Sequence, residues 1–277
     1  MRLWTIALVV PLAAALSFAG DDKDKPGDKG DGGKKDGETA AKEKDEADDL
    51  PTQDKKADGD EQKRYLVHGP AKDEKQPKDG WKILYVLPGG NGGEDFKGFV
   101  KNMRKQVFHD GYLVVQLIAP KWTENQPVTW PTKAVPLPEA KFTTEEFLAA
   151  VHKEVTKDRK ADPKYVFALG WSSGGPPVYQ IALQDKSPLT GAYVAMSVFK
   201  PKEYSNLANA KGKPFFIDHS PDDKTCPFRM AEDARDTLKK SGAKVEFVTY
   251  EGGHGWKGPI WDRLRKGLEH LEKFAGK

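Results

Sequence analysis

A serine set among glycines follows one of the most apolar runs of the sequence. The stretch GWSSG at residues 170–174 comes directly after YVFAL at 165–169 and directly before GPP at 175–177. This fits Gly-x-Ser-x-Gly, in which the serine stands at a sharp turn between a strand and a helix with its hydroxyl above the sheet. A glycine-rich turn whose serine only caps a helix is the alternative. Because a strand precedes and a helix follows, we predict that Ser172 is a nucleophile.

A serine nucleophile needs a base to take its proton. His254 lies in the loop EGGHGW, after the last predicted strand, where glycines on both sides let the ring reach back over the sheet. His219 ends another predicted strand and is the rival. The remaining histidines precede the serine or lie in helical patterns: His68, His109, His152 and His270. We therefore predict that His254 is the base.

The base in turn needs a carboxylate that fixes its tautomer and stabilises the imidazolium. The loop after the penultimate predicted strand offers Asp218, Asp222 and Asp223. Asp218 belongs to the strand itself, whereas the other two precede a helix that is predicted to begin at Pro227. The spacing favours Asp223 slightly and leaves Asp222 open.

A third loop could bind the negative charge that develops on an attacked carbonyl. The sequence LPGGNGG at residues 87–93 ends a predicted strand, and its four glycines free the backbone to point N–H groups at an anion. A plain flexible turn is the alternative. Neither glycine stretch has the spacing of a dinucleotide or phosphate loop, so we expect no nucleotide cofactor.

Cysteine chemistry contributes little to this sequence. Cys226 is the single cysteine, which excludes an internal disulfide and a cysteine-rich zinc site. We predict no metal and no cofactor. Cys226 stands at a predicted helix start, where a thiol can be reactive, but packing is the favoured role.

These loops require a scaffold that brings them to one edge. Short apolar runs predict seven strands, at residues 65–68, 82–87, 112–118, 165–169, 192–196, 214–218 and 245–250. Longer stretches between them predict five helices, at residues 94–108, 143–158, 176–184, 227–240 and 259–274. Strands that are apolar throughout, alternating with helices, predict an α/β sandwich: a mostly parallel sheet of about seven strands with helices on both faces. The carboxyl ends of parallel strands meet at one edge, where function gathers.

The serine turn and the order Ser, Asp, His resemble the α/β-hydrolases. The resemblance is to the small esterases of the phospholipase/carboxylesterase and polyhydroxyalkanoate-depolymerase-like groups, and it covers roughly residues 64–275. In that family a loop of the form His-Gly-x-x-Asp-x-x-x-Pro carries the acid. Residues 219–227, HSPDDKTCP, match it with Ser220 in place of glycine. The match implies that Asp223 is the acid and that His219 is structural.

The same family carries a His-Gly-x loop whose third residue donates a backbone N–H to the oxyanion hole. Residues 88–90, Pro-Gly-Gly, stand at that position. The resemblance therefore implies that Gly90 is one oxyanion donor and Ser173 the other. It also implies an α/β-hydrolase fold and a cofactor-independent serine esterase.

A long proline-rich segment at residues 120–142 contains Trp122 and Trp130. A loop of this length is usually functional or disordered, and two tryptophans argue against disorder. We predict that they form an aromatic wall beside the serine together with Trp171 and Trp256; anchoring of the loop is the alternative. No separate lid domain fits in the remaining length, so we expect an open cleft, which suits short acyl or aryl esters, or an ester on a polymer.

The amino-terminal part differs from the rest of the chain. Residues 1–19 have a positive start and an apolar run that predict a signal peptide, with an uncleaved anchor as the alternative. Residues 20–63 are predicted to be a disordered charged linker, because 16 acidic residues stand against 10 lysines and Leu50 is the only large aliphatic residue. The catalytic domain is then residues 64–277, in a protein exported to the periplasm, cell surface or medium.

Charge restricts the partners. The whole chain carries +3, so removing the +1 of Arg2 and the −6 of the linker leaves +8 on residues 64–277. The basic residues are dispersed and form no cluster interleaved with aromatic residues, so we predict no nucleic-acid partner. We also predict no stable membrane insertion once the signal peptide is cleaved. We expect a serine hydrolase that acts on a small-molecule or polymer-borne carboxylic ester. A peptidase of the same fold and a non-catalytic envelope binding module are the alternatives.

Overall fold

The computed structural model describes residues 50–204 and 206–275. The predicted signal peptide and most of the predicted linker lie outside these residues. Within the two described ranges, no helix is long and apolar enough to cross a membrane.

Eight strands and five helices alternate along the described chain. The strands are β1 (Thr52–Lys56), β2 (Arg64–His68), β3 (Trp81–Leu87), β4 (Tyr112–Leu117), β5 (Ala161–Trp171), β6 (Gly191–Ala195), β7 (Pro214–His219) and β8 (Lys244–Thr249). The helices are α1 (Lys97–Gln106), α2 (Thr144–Asp158), α3 (Gly175–Leu183), α4 (Phe228–Lys240) and α5 (Ile260–Phe274). All seven predicted strands and all five predicted helices are present, with ends shifted by a few residues.

The strands form one sheet in the order β1-β2-β4-β3-β5-β6-β7-β8. The pairs β1/β2 and β2/β4 are antiparallel, and every other pair is parallel. The predicted α/β sandwich with a mostly parallel sheet is therefore confirmed, with one strand more than expected. Because β5 lies in the middle, the loop that follows it stands at the centre of one sheet edge.

The extra strand overturns part of the linker prediction. Thr52–Lys56 pairs antiparallel with β2 along its whole length, and the Leu50 side chain before it is buried. The five residues of β1 are polar or charged and hide no apolar face, so their pattern gave no strand signal. An edge strand can pair through its backbone alone, and charged side chains there prevent further pairing. The folded part therefore includes residues 50–63, which the sequence assigned to the linker.

Helices cover both faces of the sheet. Apolar side chains of α2, α3 and α4 pack on one face, and those of α1 and α5 pack on the other. The two layers bury the carboxyl-terminal parts of the central strands; β3, for example, has Ile83 to Leu87 inaccessible to solvent. Burial on both faces explains why these parts of the strands are apolar throughout.

Candidate active site

Ser172 is the first residue after β5 and sits in a strained turn. Its φ of 50° lies in the left-handed region, which residues with a side chain rarely adopt. Two glycines make the turn feasible. A Cβ on Gly170 would overlap the Gly174 carbonyl, and a Cβ on Gly174 would overlap the carbonyl of Leu87. The two glycines of GWSSG are thus required by close backbone contacts, one within the turn and one with β3.

His254 reaches this turn from the loop after β8. Three glycines of the loop, Gly252, Gly253 and Gly255, have positive φ, which lets the chain curl back over the sheet edge. The Nε2 atom of His254 lies 3.0 Å from the Ser172 Oγ, and its Nδ1 atom lies 2.8 Å from an Asp223 carboxylate oxygen. The imidazole therefore links a serine hydroxyl to a carboxylate, which is the geometry of a general base with an orienting acid.

Asp223 is held on both of its oxygens. One oxygen accepts the amide N–H groups of Thr225 and Cys226, each at 2.8 Å, and the other accepts from His254. Burial alone raises the pKa of Asp223, but these hydrogen bonds outweigh it and the pKa lies below its ordinary value. An ionised carboxylate at Nδ1 places the imidazole proton there and leaves Nε2 free to accept the serine proton.

The other acids of this loop are placed elsewhere. Asp222 is exposed, so the structure brings its neighbour Asp223 to the histidine. Asp218 is fully buried at the end of β7, where Arg263 donates to it at 2.9 Å and the Tyr193 hydroxyl donates at 3.0 Å. Because Arg263 balances its charge, this buried aspartate is a structural group.

The rival histidine is also structural. His219 is buried, and its Nε2 donates to the Cys226 carbonyl at 2.8 Å. Burial lowers its pKa below the ordinary value, so it is neutral at neutral pH. The ring supports the loop that presents Asp223.

The two predicted oxyanion donors lie side by side across the turn. The Gly90 carbonyl accepts the hydroxyls of Ser173 and Thr129, each at 2.9 Å, which fixes the glycine turn against the serine turn. No backbone hydrogen bond among the described residues occupies the Gly90 or the Ser173 N–H. Both amides are thus available for a bound group, and their use in an oxyanion hole stays a prediction.

The four tryptophans do not form one wall. Trp122 packs edge-on against Phe142, with ring centroids 4.9 Å apart, and anchors the long loop. Trp171 and Trp256 contact each other at 5.6 Å within an aromatic cluster between α1 and α5. Only Trp130 lines the pocket beside Ser173, and its indole N–H donates to the Pro88 carbonyl at 3.0 Å. Substrate contact by Trp122, Trp171 and Trp256 stays a prediction.

Cys226 is buried next to Asp223 and His254. Its sulfur and the ligand atoms of Asp223 and His254 lie within 4.8 Å of one another, a set that could hold a metal ion. Burial, with the Asp223 carboxylate as the second cause, raises the pKa of the Cys226 thiol to about 11. The thiol is therefore protonated at neutral pH, which suits the packing role.

Two supporting residues were missed by the sequence analysis. The Ser197 hydroxyl donates to the Ser172 carbonyl at 2.7 Å and braces the serine turn from the end of β6. Arg263 donates to the Lys257 carbonyl at 2.7 Å and so ties the histidine loop to α5. Neither residue has a local sequence signal: Ser197 lies 25 residues from Ser172, and the Arg263 side chain is held by Asp218, 45 residues away.

A pocket of about 190 Å³ opens beside Ser173. The loop at residues 127–135, one face of α3 and the segment at residues 198–204 form its walls. The long proline-rich loop thus forms one wall of a pocket that borders Ser173, the neighbour of Ser172 in the chain. Gln180 and Tyr204, which line it, were also missed, because nothing in the sequence sets them apart.

The model of the Dienelactone hydrolase family matches residues 85–259, which include Ser172, Asp223 and His254. No curated protein sequence matches the chain significantly. Among solved structures, esterase 2 of Thermogutta terrifontis, phosphorylated by paraoxon, is similar, with 17% sequence identity and a TM-score of 0.59. The alignment covers 83% of this chain and 96% of the esterase chain. The Bacillus cereus carboxylesterase is 18% identical with a TM-score of 0.54 and covers 82% of this chain and 95% of its own. The predicted α/β-hydrolase fold is confirmed.

Proposed function

The chain belongs to the dienelactone hydrolase family, and we propose that it cleaves carboxylic esters through Ser172, His254 and Asp223. Membership makes it a hydrolase of the α/β-hydrolase type. The observation that carries the proposal is the position of His254, which bonds Ser172 at 3.0 Å and Asp223 at 2.8 Å. A serine at φ 50° in the turn after the central strand is the second support.

The first half of the proposed reaction forms an acyl-enzyme. The Ser172 Oγ attacks the ester carbonyl carbon while His254 Nε2 takes the hydroxyl proton. The Asp223 carboxylate stabilises the imidazolium, and the Gly90 and Ser173 N–H groups receive the negative charge on the carbonyl oxygen. The bond to the alcohol oxygen then breaks, and His254 gives its proton to that oxygen.

The second half returns the free enzyme. Water attacks the acyl carbon, His254 Nε2 takes a proton from it, and the acid leaves as Ser172 recovers its hydroxyl. Losing one donor of an oxyanion hole raises the barrier of such a reaction by about 2.7–4 kcal/mol. The hydrogen bonds that fix the Gly90 turn therefore matter to the proposed activity, because they hold one of the two proposed donors in place.

We propose an open cleft and therefore a short acyl or aryl ester, or an ester on a polymer. The pocket beside Ser173 supports this substrate size. Two solved structures with this fold are an esterase and a carboxylesterase by name, which agrees with the proposed class. Export, proposed from residues 1–19, would place the substrate outside the cytoplasm.

The test is a panel of p-nitrophenyl esters of graded acyl length beside a panel of aminoacyl p-nitroanilides. We expect turnover of short esters, with anilide turnover slower by at least about tenfold, or roughly 1.4 kcal/mol of barrier. Ser172→Ala must abolish ester turnover. Faster anilide cleavage would show a peptidase, and failure to turn over either panel would favour a binding module.

A further inference from the structure

The pocket beside Ser173 has a polar group at an unexpected place. Its walls are mainly apolar and include Val128, Trp130, Val135, Pro176, Pro177 and Val198. Gln180 stands among them on α3, although the other residues of this helix are apolar apart from Tyr179. A glutamine there calls for a partner.

The Gln180 side chain lacks that partner. Gln180 is only 7% exposed, and its amide oxygen has no hydrogen bond to any described residue. A buried acceptor without a donor is costly, so such a group usually marks a water or ligand site. The terminal torsion of glutamine is broad, which lets the amide oxygen turn to a donor that enters the pocket.

The position of the pocket selects which half of the ester it receives. His254 must pass its proton to the departing alcohol oxygen, so the alcohol half lies towards the histidine loop. The pocket is lined by residues 127–135, α3 and residues 198–204, and none of its lining residues belongs to the loops of His254 or Asp223. It therefore receives the acyl half.

Helix geometry gives the reach of that acyl group. Gln180 follows Ser173 by seven residues, which is roughly 10 Å at 1.5 Å per residue. Side chains on a helix lean towards its amino terminus, so the Gln180 amide lies nearer to the serine turn than the Gln180 backbone does. A cavity of 190 Å³ is somewhat larger than the roughly 150 Å³ that holds a benzene ring. A ring with a short arm fits both measures.

The charge at the rim favours a neutral partner. Lys200, which lines the pocket, is paired with Glu203 at 3.1 Å and is half exposed. Because Glu203 also lines the pocket, the two charges offset each other and leave no uncompensated cation for a carboxylate on the acyl group. A hydroxyl needs no countercharge and can donate to Gln180.

We propose that the substrate acyl group is an aryl-alkanoyl group of this length with a hydroxyl at its far end, and that Gln180 selects it by accepting that hydroxyl. The proposal rests on the proposed ester hydrolysis and adds its substrate class. Gln180 takes no part in bond making; it is a specificity residue.

The experiment compares two esters that differ by one hydroxyl, methyl 3-phenylpropanoate and methyl 3-(4-hydroxyphenyl)propanoate. We expect the wild-type protein to prefer the hydroxylated ester by about five- to tenfold in kcat/KM, the worth of one hydrogen bond. Gln180→Met keeps the size but removes the acceptor, and should bring the ratio to about one. Gln106→Met, on the exposed surface of α1, is the matched control and should keep the wild-type ratio.

The outcomes separate the two proposals. Turnover of the plain ester by the wild type, lost in Ser172→Ala, supports the proposed function whatever the ratio. A wild-type ratio of one or less, or a preference that survives in Gln180→Met, overturns the role of Gln180. If neither ester is turned over while p-nitrophenyl esters are, the proposed acyl class is wrong; if no ester is turned over, the proposed function fails first.

Discussion

Arg263 on α5 lies 2.9 Å from Asp218 at the end of β7, and both side chains are buried. The same guanidinium donates to the Lys257 carbonyl, three residues after His254. One ion pair thus fixes the sheet, the last helix and the histidine loop relative to one another.

Breaking this pair should destabilise the fold. Arg263→Leu leaves a buried carboxylate without its countercharge, which typically costs about 3–5 kcal/mol. We expect the free energy of unfolding in urea to fall by that amount. Arg265→Leu, on the same helix, removes an exposed pair with Asp262 and should cost less than about 1 kcal/mol. Equal losses for the two variants would show that the buried pair has no special role.

The two neighbouring aspartates should differ sharply in activity. Asp223→Asn removes the acceptor at His254 Nδ1 and favours the wrong tautomer, so kcat should fall by up to about four powers of ten. Asp222→Asn changes an exposed side chain and should cost little. The measurement is kcat on one p-nitrophenyl ester, with circular dichroism to show that both variants fold. A crippled Asp222→Asn beside an active Asp223→Asn would reassign the acid.

Acid should destabilise the protein through His68. Its ring is fully buried between Thr52 and Gln116, and burial lowers its pKa from 6.5 to about 4. The unfolded chain therefore takes up a proton below about pH 6.5 that the folded chain refuses until about pH 4. Stability from this group is complete above that window and falls through it, by about 2 kcal/mol between pH 7 and pH 5.

The check is unfolding in urea at both pH values for the wild type and for His68→Gln. The variant lacks the titrating group, so its loss between pH 7 and pH 5 should be smaller by about 2 kcal/mol. Other buried histidines contribute equally to both proteins and cancel. Parallel losses in the two proteins would contradict the role of His68.

The amino-terminal segment should be dispensable only as far as residue 49. Its composition cannot support a core, so a protein that begins at residue 50 should keep its kcat/KM on a small ester within about tenfold. A protein that begins at residue 64 lacks β1 and the buried Leu50, and should lose at least about 2 kcal/mol of stability. Equal stability of the two truncated proteins would show that β1 contributes nothing.

The sequence contained the parts of the site that depend on local chemistry. The turn around Ser172 has its own glycine pattern, and the loops of Asp223 and His254 follow apolar strands whose order could be read. Strand β1 was not predicted from the sequence, because its five residues are polar and pair only through the backbone. A backbone pairing of this kind leaves no periodic signal.

Side-chain contacts between distant segments could not be predicted from the sequence either. Trp122 and Trp130 lie eight residues apart in one loop, yet one packs on Phe142 and the other lines the pocket. Gln180 is one polar residue in an apolar helix, and only the folded structure shows that its oxygen lacks a donor. These side-chain environments depend on which segments of the chain pack together in the folded protein.

Covalent labelling with paraoxon reports on the nucleophile and its base without depending on a chosen ester substrate. We expect one diethylphosphoryl group per chain, mapped by peptide mass spectrometry to Ser172. Ser172→Ala should not be labelled, the adjacent Ser173→Ala should be, and His254→Asn should react slower by at least about a hundredfold. Labelling at Ser173 or at any other residue, or no labelling of the folded wild type, would contradict the assignment of Ser172 as the nucleophile.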